Sequence, residues 1–209
     1  MNQLLASTPI IDWQHPAVRR KAAELAVPGD PIQTARVCFE FVRDEIKHSR
    51  DFELDPATCR ASDVLLHGTG FCYAKSHLLA ALLRASGMPA GFCYQRLSVD
   101  DSGPPYCLHG YNAVELPGFG WYRIDARGNK PGVDAQFDPP NERLAFPLQS
   151  AEEYDFENIL AEPLPCVVNT LEAANGWRSI LKTLPDITPD DFANAGLKVR
   201  RQGGRFGKG

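Results

Sequence analysis

The sequence predicts an α+β fold in which helices occupy the first part of the chain and an antiparallel sheet follows them. Apolar and polar residues alternate with helical spacing in the first part, and three short strands then follow one another with tight turns between them. Strands joined by short connections pair antiparallel, because a parallel pairing needs a long crossover. Helices segregated from such a sheet are typical of the α+β class.

Two helices are predicted before the centre of the chain. The first covers about residues 16–26, because Pro16 is tolerated in a first helical turn and Pro28 follows the end of the pattern. The second begins after Asp30 and runs to about Ile46, with apolar residues spaced three and four apart. Both are expected to pack one face on the core.

The most informative segment is a third helix, predicted over residues 72–85. It is apolar on nearly all sides after its first turn, so we expect it to be central and buried. Gly87 and Pro89 then form a helix stop. Three runs rich in aromatic and β-branched residues follow and predict strands over Ala90 to Val99, Leu108 to Leu116, and Gly120 to Asp125.

The rest of the chain has weaker signals. Residues 126–165 are rich in proline and glycine and predict one or two short strands and a short acidic helix. An amphipathic helix is predicted over about 167–184. We expect residues 1–197 to form a single domain and the basic, glycine-rich residues 198–209 to be disordered.

Composition bounds the possible functions. The chain has 209 residues with 44% hydrophobic and 23% charged residues, which is ordinary for one globular domain. A net charge of −4 gives no general case for nucleic-acid binding. The longest apolar run, Leu78 to Leu83, is too short to cross a bilayer. The first residues lack the basic start of an export signal, so we expect a cytoplasmic protein with its six cysteines as thiols.

Cys72 is the first candidate for chemistry. It follows a glycine-rich turn and begins the predicted buried helix. Unpaired backbone N–H groups and the positive end of the helix dipole favour a thiolate there, which would make Cys72 a nucleophile. A buried structural thiol is the alternative interpretation of the same position.

His109 and Asp125 complete a candidate set of three. Both lie on predicted strands joined by a short turn, and a hairpin of that kind could place Asp125 beside His109. Nucleophile, base and an acid that orients the base are the three roles of a thiol hydrolase. Each residue taken alone is more simply a structural polar group, but together they favour catalysis.

Several blocks resemble the transglutaminase-like superfamily. They are Gly70-Phe71-Cys72 with the following LLAALLRASGMPAG run, His109 to Leu116 (HGYNAVEL), and Trp121 to Asp125 (WYRID). The segment RVCFEFVRDEIKHSRD is similar to the upstream helix of the family, and the resemblance covers about residues 30–130. It implies a papain-like fold, with a catalytic helix packed on an antiparallel sheet between flanking helices.

The resemblance also implies thiol chemistry on amide bonds, as in the bacterial-type cysteine proteases of this superfamily. Cys72, His109 and Asp125 match the family's Cys-His-Asp positions. We therefore expect a peptide or other amide substrate, a thioester intermediate, and no metal, cofactor, nucleic acid or membrane. Hydrolysis is favoured over cross-linking because no accessory β-domains are evident. A binding or scaffolding module that keeps the fold without turnover is the competing class.

Other candidate residues have weaker signals. The oxyanion of an acyl-transfer reaction needs two donors, of which the Cys72 backbone N–H is one. The tryptophan that often supplies the second is missing between Trp13 and Trp121, and His48 is the best-placed substitute. His77 is expected to pack structurally. Lys75 and Ser76 are expected to lie on the helix surface, with contact to substrate as the alternative interpretation. Cys107, with His109 and Cys72, raises a metal-site alternative that lacks paired Cys-x-x-Cys spacing.

Overall fold

The computed structural model describes residues 2–100 and 102–200 and has the α+β architecture predicted from the sequence. Its α-helices are α1 (Pro16–Leu25), α2 (Pro31–Asp44), α3 (Ser49–Phe52), α4 (Ala61–His67), α5 (Cys72–Ala85), α6 (Pro165–Ala173) and α7 (Trp177–Lys182). Its strands are β1 (Lys47–His48), β2 (Thr69–Gly70), β3 (Ala90–Ser98), β4 (Tyr106–Leu116), β5 (Gly120–Ile124), β6 (Gln136–Asp138), β7 (Asn141–Arg143) and β8 (Tyr154–Asp155).

The main sheet has the order β5-β4-β3-β8, and every neighbouring pair is antiparallel. The long β3–β4 hairpin places Gln95 opposite His109, and β5 pairs with the second half of β4. α5 packs against this sheet on one side and against α1, α2 and α4 on the other. All residues from Cys72 to Arg84 are buried, so the predicted central helix is confirmed.

The sequence predicts a polar loop from His48 to Arg60 and a short turn from Ser62 to Leu66, whereas in the structure a two-stranded parallel ladder closes this segment at its two ends. β1 pairs with β2 through Lys47 with Thr69 and His48 with Gly70, and the Thr69 hydroxyl donates to the Lys47 carbonyl at 3.0 Å. The segment between the two strands contains α3 and α4 rather than a loop and one turn. Tertiary pairing of two residues leaves no local periodicity, so the pattern of the sequence did not contain it.

Buried cations anchor both ends of α5. Lys75, predicted on the helix surface, is fully buried, and its ammonium donates to the carbonyls of Arg43 and Ile46 where α2 ends. The surface prediction for Lys75 is therefore wrong, because the amine satisfies carbonyls that the end of a helix leaves unpaired. Near the other end, Arg84 donates to three carbonyls in separate segments, those of Ala6, Ala90 and Ala161.

The C-terminal part differs from its prediction in three places. Residues 126–165, all of which the structure describes, hold the three strands β6 to β8, and no helix occurs there before α6 begins at Pro165. The single helix predicted over 167–184 is divided into α6 and α7, because Gly176 has φ +151° and Asp55 accepts from the Trp177 N–H at 2.9 Å. Val199 bridges to Phe156, whereas residues 201–209 of the predicted tail lie outside the described residues.

No helix within the described part of the chain is long and apolar enough to cross a membrane.

Candidate active site

Cys72 is the first residue of α5, and Phe71 alone separates it from the end of β2 at Gly70. The preceding Phe71 provides no side-chain cap, and the first turn carries no acidic residue. The thiol therefore lies among backbone N–H groups that the helix leaves unpaired. Cys72 is buried, with 8% of the residue exposed, and it lines a cavity.

His109 and Asp125 form a short hydrogen bond. The Nε2 atom of His109 lies 2.7 Å from Oδ2 of Asp125. The strand register explains this contact. Asn112 of β4 pairs with Ile124 of β5, and Asp125 is the next residue after Ile124. Because the strands are antiparallel, Asp125 comes within two residues of His109 along β4. Since Nε2 is engaged by Asp125, Nδ1 is the nitrogen of the ring that remains for Cys72.

The Asp125 carboxylate is held in place by two backbone donors as well. The Arg127 N–H donates to Oδ1 at 3.1 Å, and the Ala145 N–H donates to Oδ2 at 3.0 Å. Burial raises the pKa of Asp125, but the charge of His109 and these hydrogen bonds outweigh it and lower the pKa below its ordinary value. Asp125 is thus an ionised, fixed acceptor for the His109 ring.

His109 is held as a cation by its neighbours. Burial lowers the pKa of His109, but the charges of Asp125 and Cys72 and hydrogen bonds to both raise it to about 10. Phe146 meets the imidazole edge-on, with ring centroids 5.0 Å apart, and Tyr111 stacks on it at 6.1 Å. These rings fix the plane of the imidazole between its two partners.

Cys72 and His109 line one cavity of about 470 Å³, and Asp125 lies behind His109 with 1% exposure. The three residues singled out in the sequence therefore come together at one place. The cavity wall also includes His48, Phe146 and the basic residues discussed below. Its size suits a segment of a few residues or a small molecule.

The packing of α5 on the sheet was expected, but the residues that join it to β4 were not identified from the sequence. The Tyr73 hydroxyl donates to the Leu108 carbonyl, and a Cβ at Gly110 would lie 3.0 Å from the Tyr73 ring. Leu108 and Gly110 flank His109, so Tyr73 fixes the first turn of α5 against the strand on both sides of the histidine. The sequence signal was a glycine within a strand, which often marks a close approach of another backbone.

His48 reaches the cavity through the β1–β2 ladder. His48 pairs with Gly70, which precedes Cys72 by two residues. The centroid of its ring lies 5.2 Å from that of the Phe71 ring. Burial, followed by the charge of Arg127, lowers the pKa of His48 well below its ordinary value. The ring is therefore neutral, and its Nδ1 atom is buried without a hydrogen-bond partner, 3.8 Å from Asp51.

The remaining candidates have structural surroundings. His77 packs in the core as predicted, with Nδ1 2.8 Å from the Cys59 carbonyl. Ser76, expected on the surface, is buried and donates to the Tyr73 carbonyl at 2.6 Å. Cys107 lies on the cavity wall, but within residues 2–100 and 102–200 no three His, Cys, Asp or Glu side chains gather into a metal site.

The chain is similar to a known protein family and to a solved structure. A family model described as the Transglutaminase-like superfamily matches residues 19–126, which is just over half of the chain. A search of curated proteins finds no match. A solved structure from Cytophaga hutchinsonii, provisionally described as a cysteine protease, is similar with 17% identity and a TM-score of 0.47, over 59% of this chain and 40% of that one.

The chain belongs to the transglutaminase-like superfamily, since the family model matches more than half of it. The match includes α2 to α5 and β1 to β5, and it contains Cys72, His109 and Asp125. This confirms the resemblance noted in the sequence. The class of protein is thus a thiol-enzyme family with a helix packed on an antiparallel sheet. The chain spans less than half the length of the solved structure named above.

Proposed function

We propose that this protein is a hydrolase of amide bonds that acts through Cys72, His109 and Asp125 and a thioester intermediate. The single observation that carries the proposal is the 2.7 Å bond between His109 and Asp125 beside a cavity that Cys72 also lines. A fixed carboxylate, a histidine and a thiol in that order are the requirements of thiol-dependent acyl transfer.

In the first half of the proposed reaction, the Cys72 thiolate attacks the carbonyl carbon of the amide. The tetrahedral intermediate carries its negative charge on the former carbonyl oxygen. The C–N bond then breaks as the His109 imidazolium transfers its proton to the amine nitrogen, which leaves as a neutral amine. The acyl group remains on Cys72 as a thioester, and Asp125 holds the ring in one orientation.

In the second half, neutral His109 takes a proton from water as the water oxygen attacks the thioester carbon. The C–S bond breaks, the thiolate leaves, and the imidazolium–thiolate pair is restored together with a carboxylic acid. We favour water over an amine as acceptor, because Cys72 and His109 are only 8% and 4% exposed. Water reaches such a site more readily than an amine on a second protein.

Two donors are proposed for the oxyanion: the backbone N–H of Cys72 and the side chain of His48. A neutral imidazole has one N–H, and His48 lines the cavity while its Nδ1 atom is buried. A proton on Nε2 would therefore serve the oxyanion. Losing an oxyanion donor costs about 100- to 1000-fold in kcat. We expect His48→Ala to show a loss of that size with little change in KM, and a KM change alone would contradict this role.

The experiment that tests the function is a screen of a peptide library with mass-spectrometric detection. We expect the wild-type protein to cleave a subset of amides and to give an acyl adduct on Cys72 after an acid quench. Cys72→Ala should give neither, while Cys107→Ala, which removes the neighbouring thiol in the cavity wall, should give both. If no amide is cleaved and no adduct forms, the non-catalytic binding module is the correct interpretation.

A further inference from the structure

The wall of the catalytic cavity carries more positive than negative side chains. Three cations line it, namely Arg50, Arg127 and Lys130, whereas the acidic side chain among the lining residues is Glu153. His48 adds no charge, because its pKa is well below the ordinary value. The His109 imidazolium is compensated by the ionised Asp125 carboxylate behind it.

Two of these cations share a single carboxylate. Arg127 donates to Asp51 through both terminal nitrogens, and Lys130 donates to Oδ1 of Asp51 at 2.8 Å. One carboxylate compensates one of the two charges. Arg127 is buried in this contact, whereas the Lys130 side chain is 41% exposed and therefore free to turn toward a ligand.

Arg50 has no carboxylate of its own. It is exposed on α3, and no side-chain hydrogen bond or ion pair to it occurs within the described residues. Burial raises the pKa of Cys107 to about 12, and the charge of Arg50 works against that rise, so the guanidinium acts on the same cavity wall. A guanidinium without a partner at a cavity is suited to a carboxylate.

Glu153 does not compensate Arg50 through a direct contact. Its carboxylate is buried and accepts from the backbone N–H groups of Ser98 at 2.9 Å and Gln149 at 2.6 Å. Neither Glu153 nor Asp51 therefore pairs with the charge of Arg50. Low-dielectric walls concentrate the field of such a charge on whatever enters.

From the unpaired guanidinium of Arg50 and the exposed ammonium of Lys130 we infer that the cavity selects amides that carry a carboxylate close to the scissile carbonyl, and that these two groups bind that carboxylate. The inference names the substrate class of the proposed hydrolase and rests on the proposed function. Arg127 is not assigned to the substrate carboxylate, because its guanidinium is already bound to Asp51.

The test compares two alkylating reagents of nearly the same size, anionic iodoacetate and neutral iodoacetamide. Second-order rates of Cys72 modification are measured for both at pH 7 by peptide mass spectrometry, and their ratio is the readout. A unit charge several ångströms away changes such a rate by about three- to tenfold at low salt. We expect the iodoacetate-to-iodoacetamide ratio to fall by that amount in Arg50→Gln and in Lys130→Gln, and in wild type at high salt.

The matched control is Arg20→Gln, which removes the same charge from an exposed position on α1. The attraction of iodoacetate to the His109 imidazolium is common to every variant and does not affect the comparison. A ratio that is the same in wild type, Arg50→Gln and Lys130→Gln would overturn the inference and leave the proposed function intact. Slow reaction of wild-type Cys72 with iodoacetamide would overturn the proposed function and the inference together.

Discussion

The six cysteines differ in their surroundings, and this difference decides which of them can react. Cys38 and Cys93 are fully buried, and burial raises the pKa of each to about 12. Burial also raises the pKa of Cys59 and that of Cys107 to about 12. Cys72 alone begins a helix beside a histidine that an aspartate holds as a cation.

We therefore expect iodoacetamide at pH 7 to modify Cys72 at least roughly 100-fold faster than the other five cysteines, because thiolate is the reactive form. Peptide mass spectrometry over a time course measures each rate. Denatured protein, in which all six thiols react at similar rates, is the control. Equal rates for Cys72 and Cys93 in the folded protein would contradict the proposed nucleophile.

Asp125→Asn tests how the histidine is oriented. The amide would offer N–H groups to Nε2 of His109, so the ring would carry its proton on Nδ1 and could no longer accept one there. We expect kcat to fall by about 10²- to 10⁴-fold while the fold is kept. The measurement is kcat on any substrate found in the peptide screen, with circular dichroism to check folding.

Asp186→Asn is the control for that variant, since Asp186 is a partly buried aspartate that accepts from two nitrogens of Arg96 and does not line the cavity. It should retain kcat even if it lowers the melting temperature. Equal losses of kcat in the two variants would mean that Asp125 acts through general stability.

The sequence predicted the residues of the site whose chemistry is unusual and missed those whose role depends on packing. Cys72, His109 and Asp125 stood out because a glycine-rich helix start and two adjacent strands carried them. Arg127 lies in the loop that follows β5, and Phe146 lies in the loop that follows β7. Loops have no periodicity from which a contact could be predicted. Whether the first three residues are catalytic stays a prediction until the experiments above are done.

At the scale of elements, the close approach of α5 to β4 depends on a residue without a side chain. A Cβ at Gly110 would lie 3.0 Å from the Tyr73 ring and 3.5 Å from its backbone, so Gly110→Ala must move the first turn of α5. A displacement of about 1 Å in a catalytic group costs on the order of 100-fold in rate. We expect kcat to fall by about 10- to 100-fold.

Overpacking also destabilises, by about 1–3 kcal/mol, which urea unfolding would measure. Gly91→Ala is the comparison, because its Cβ would lie 2.5 Å from Ile159 and 2.8 Å from the Leu160 carbonyl, away from Cys72. We expect Gly91→Ala to lose more stability and Gly110→Ala to lose more activity per folded molecule. The reverse order would contradict the positioning role of Gly110.

Helices and strands with a strong local pattern were predicted well, and elements made by distant contacts were not. Apolar spacing and turn residues correctly predicted the positions of α1, α2, α5 and the hairpins formed by β3 to β5. The break between α6 and α7 depends on Asp55, more than 100 residues away, whose carboxylate would collide with a Cβ at Gly176. Such a contact has no trace in a local window.

For the molecule as a whole, two buried groups give opposite pH dependences of stability. The pKa of His109 is raised to about 10 from an ordinary value of 6.5, so its stabilisation is complete below pH 6.5 and is lost as pH rises toward 10. The pKa of Lys75 is lowered by burial to about 7 from 10.5. The unfolded chain then binds the extra proton between pH 7 and 10.5, so this group makes stability rise with pH there.

We expect urea unfolding at pH 6.5, 8 and 9.5 to separate the two effects. Compared with wild type, His109→Gln should lose less stability as pH rises, because the contribution of His109, which decreases with pH, is absent. Lys75→Met should lose more stability than wild type over the same pH range, because the contribution of Lys75, which increases with pH, is absent. Parallel pH profiles for all three proteins would show that neither group titrates differently in the folded and unfolded states.

The three hydrogen bonds of Arg84 bear on how small a working fragment of this protein can be made. The region matched by the family model, residues 19–126, contains the carbonyl of Ala90 but not those of Ala6 and Ala161. It also omits the Ala145 N–H that fixes Asp125 and the strand β8 that borders β3. A recombinant piece cut at the edges of the family match would therefore enclose an arginine with two of its three acceptors removed. Residues outside the family match complete the interior of the molecule, and expression trials should keep both flanks.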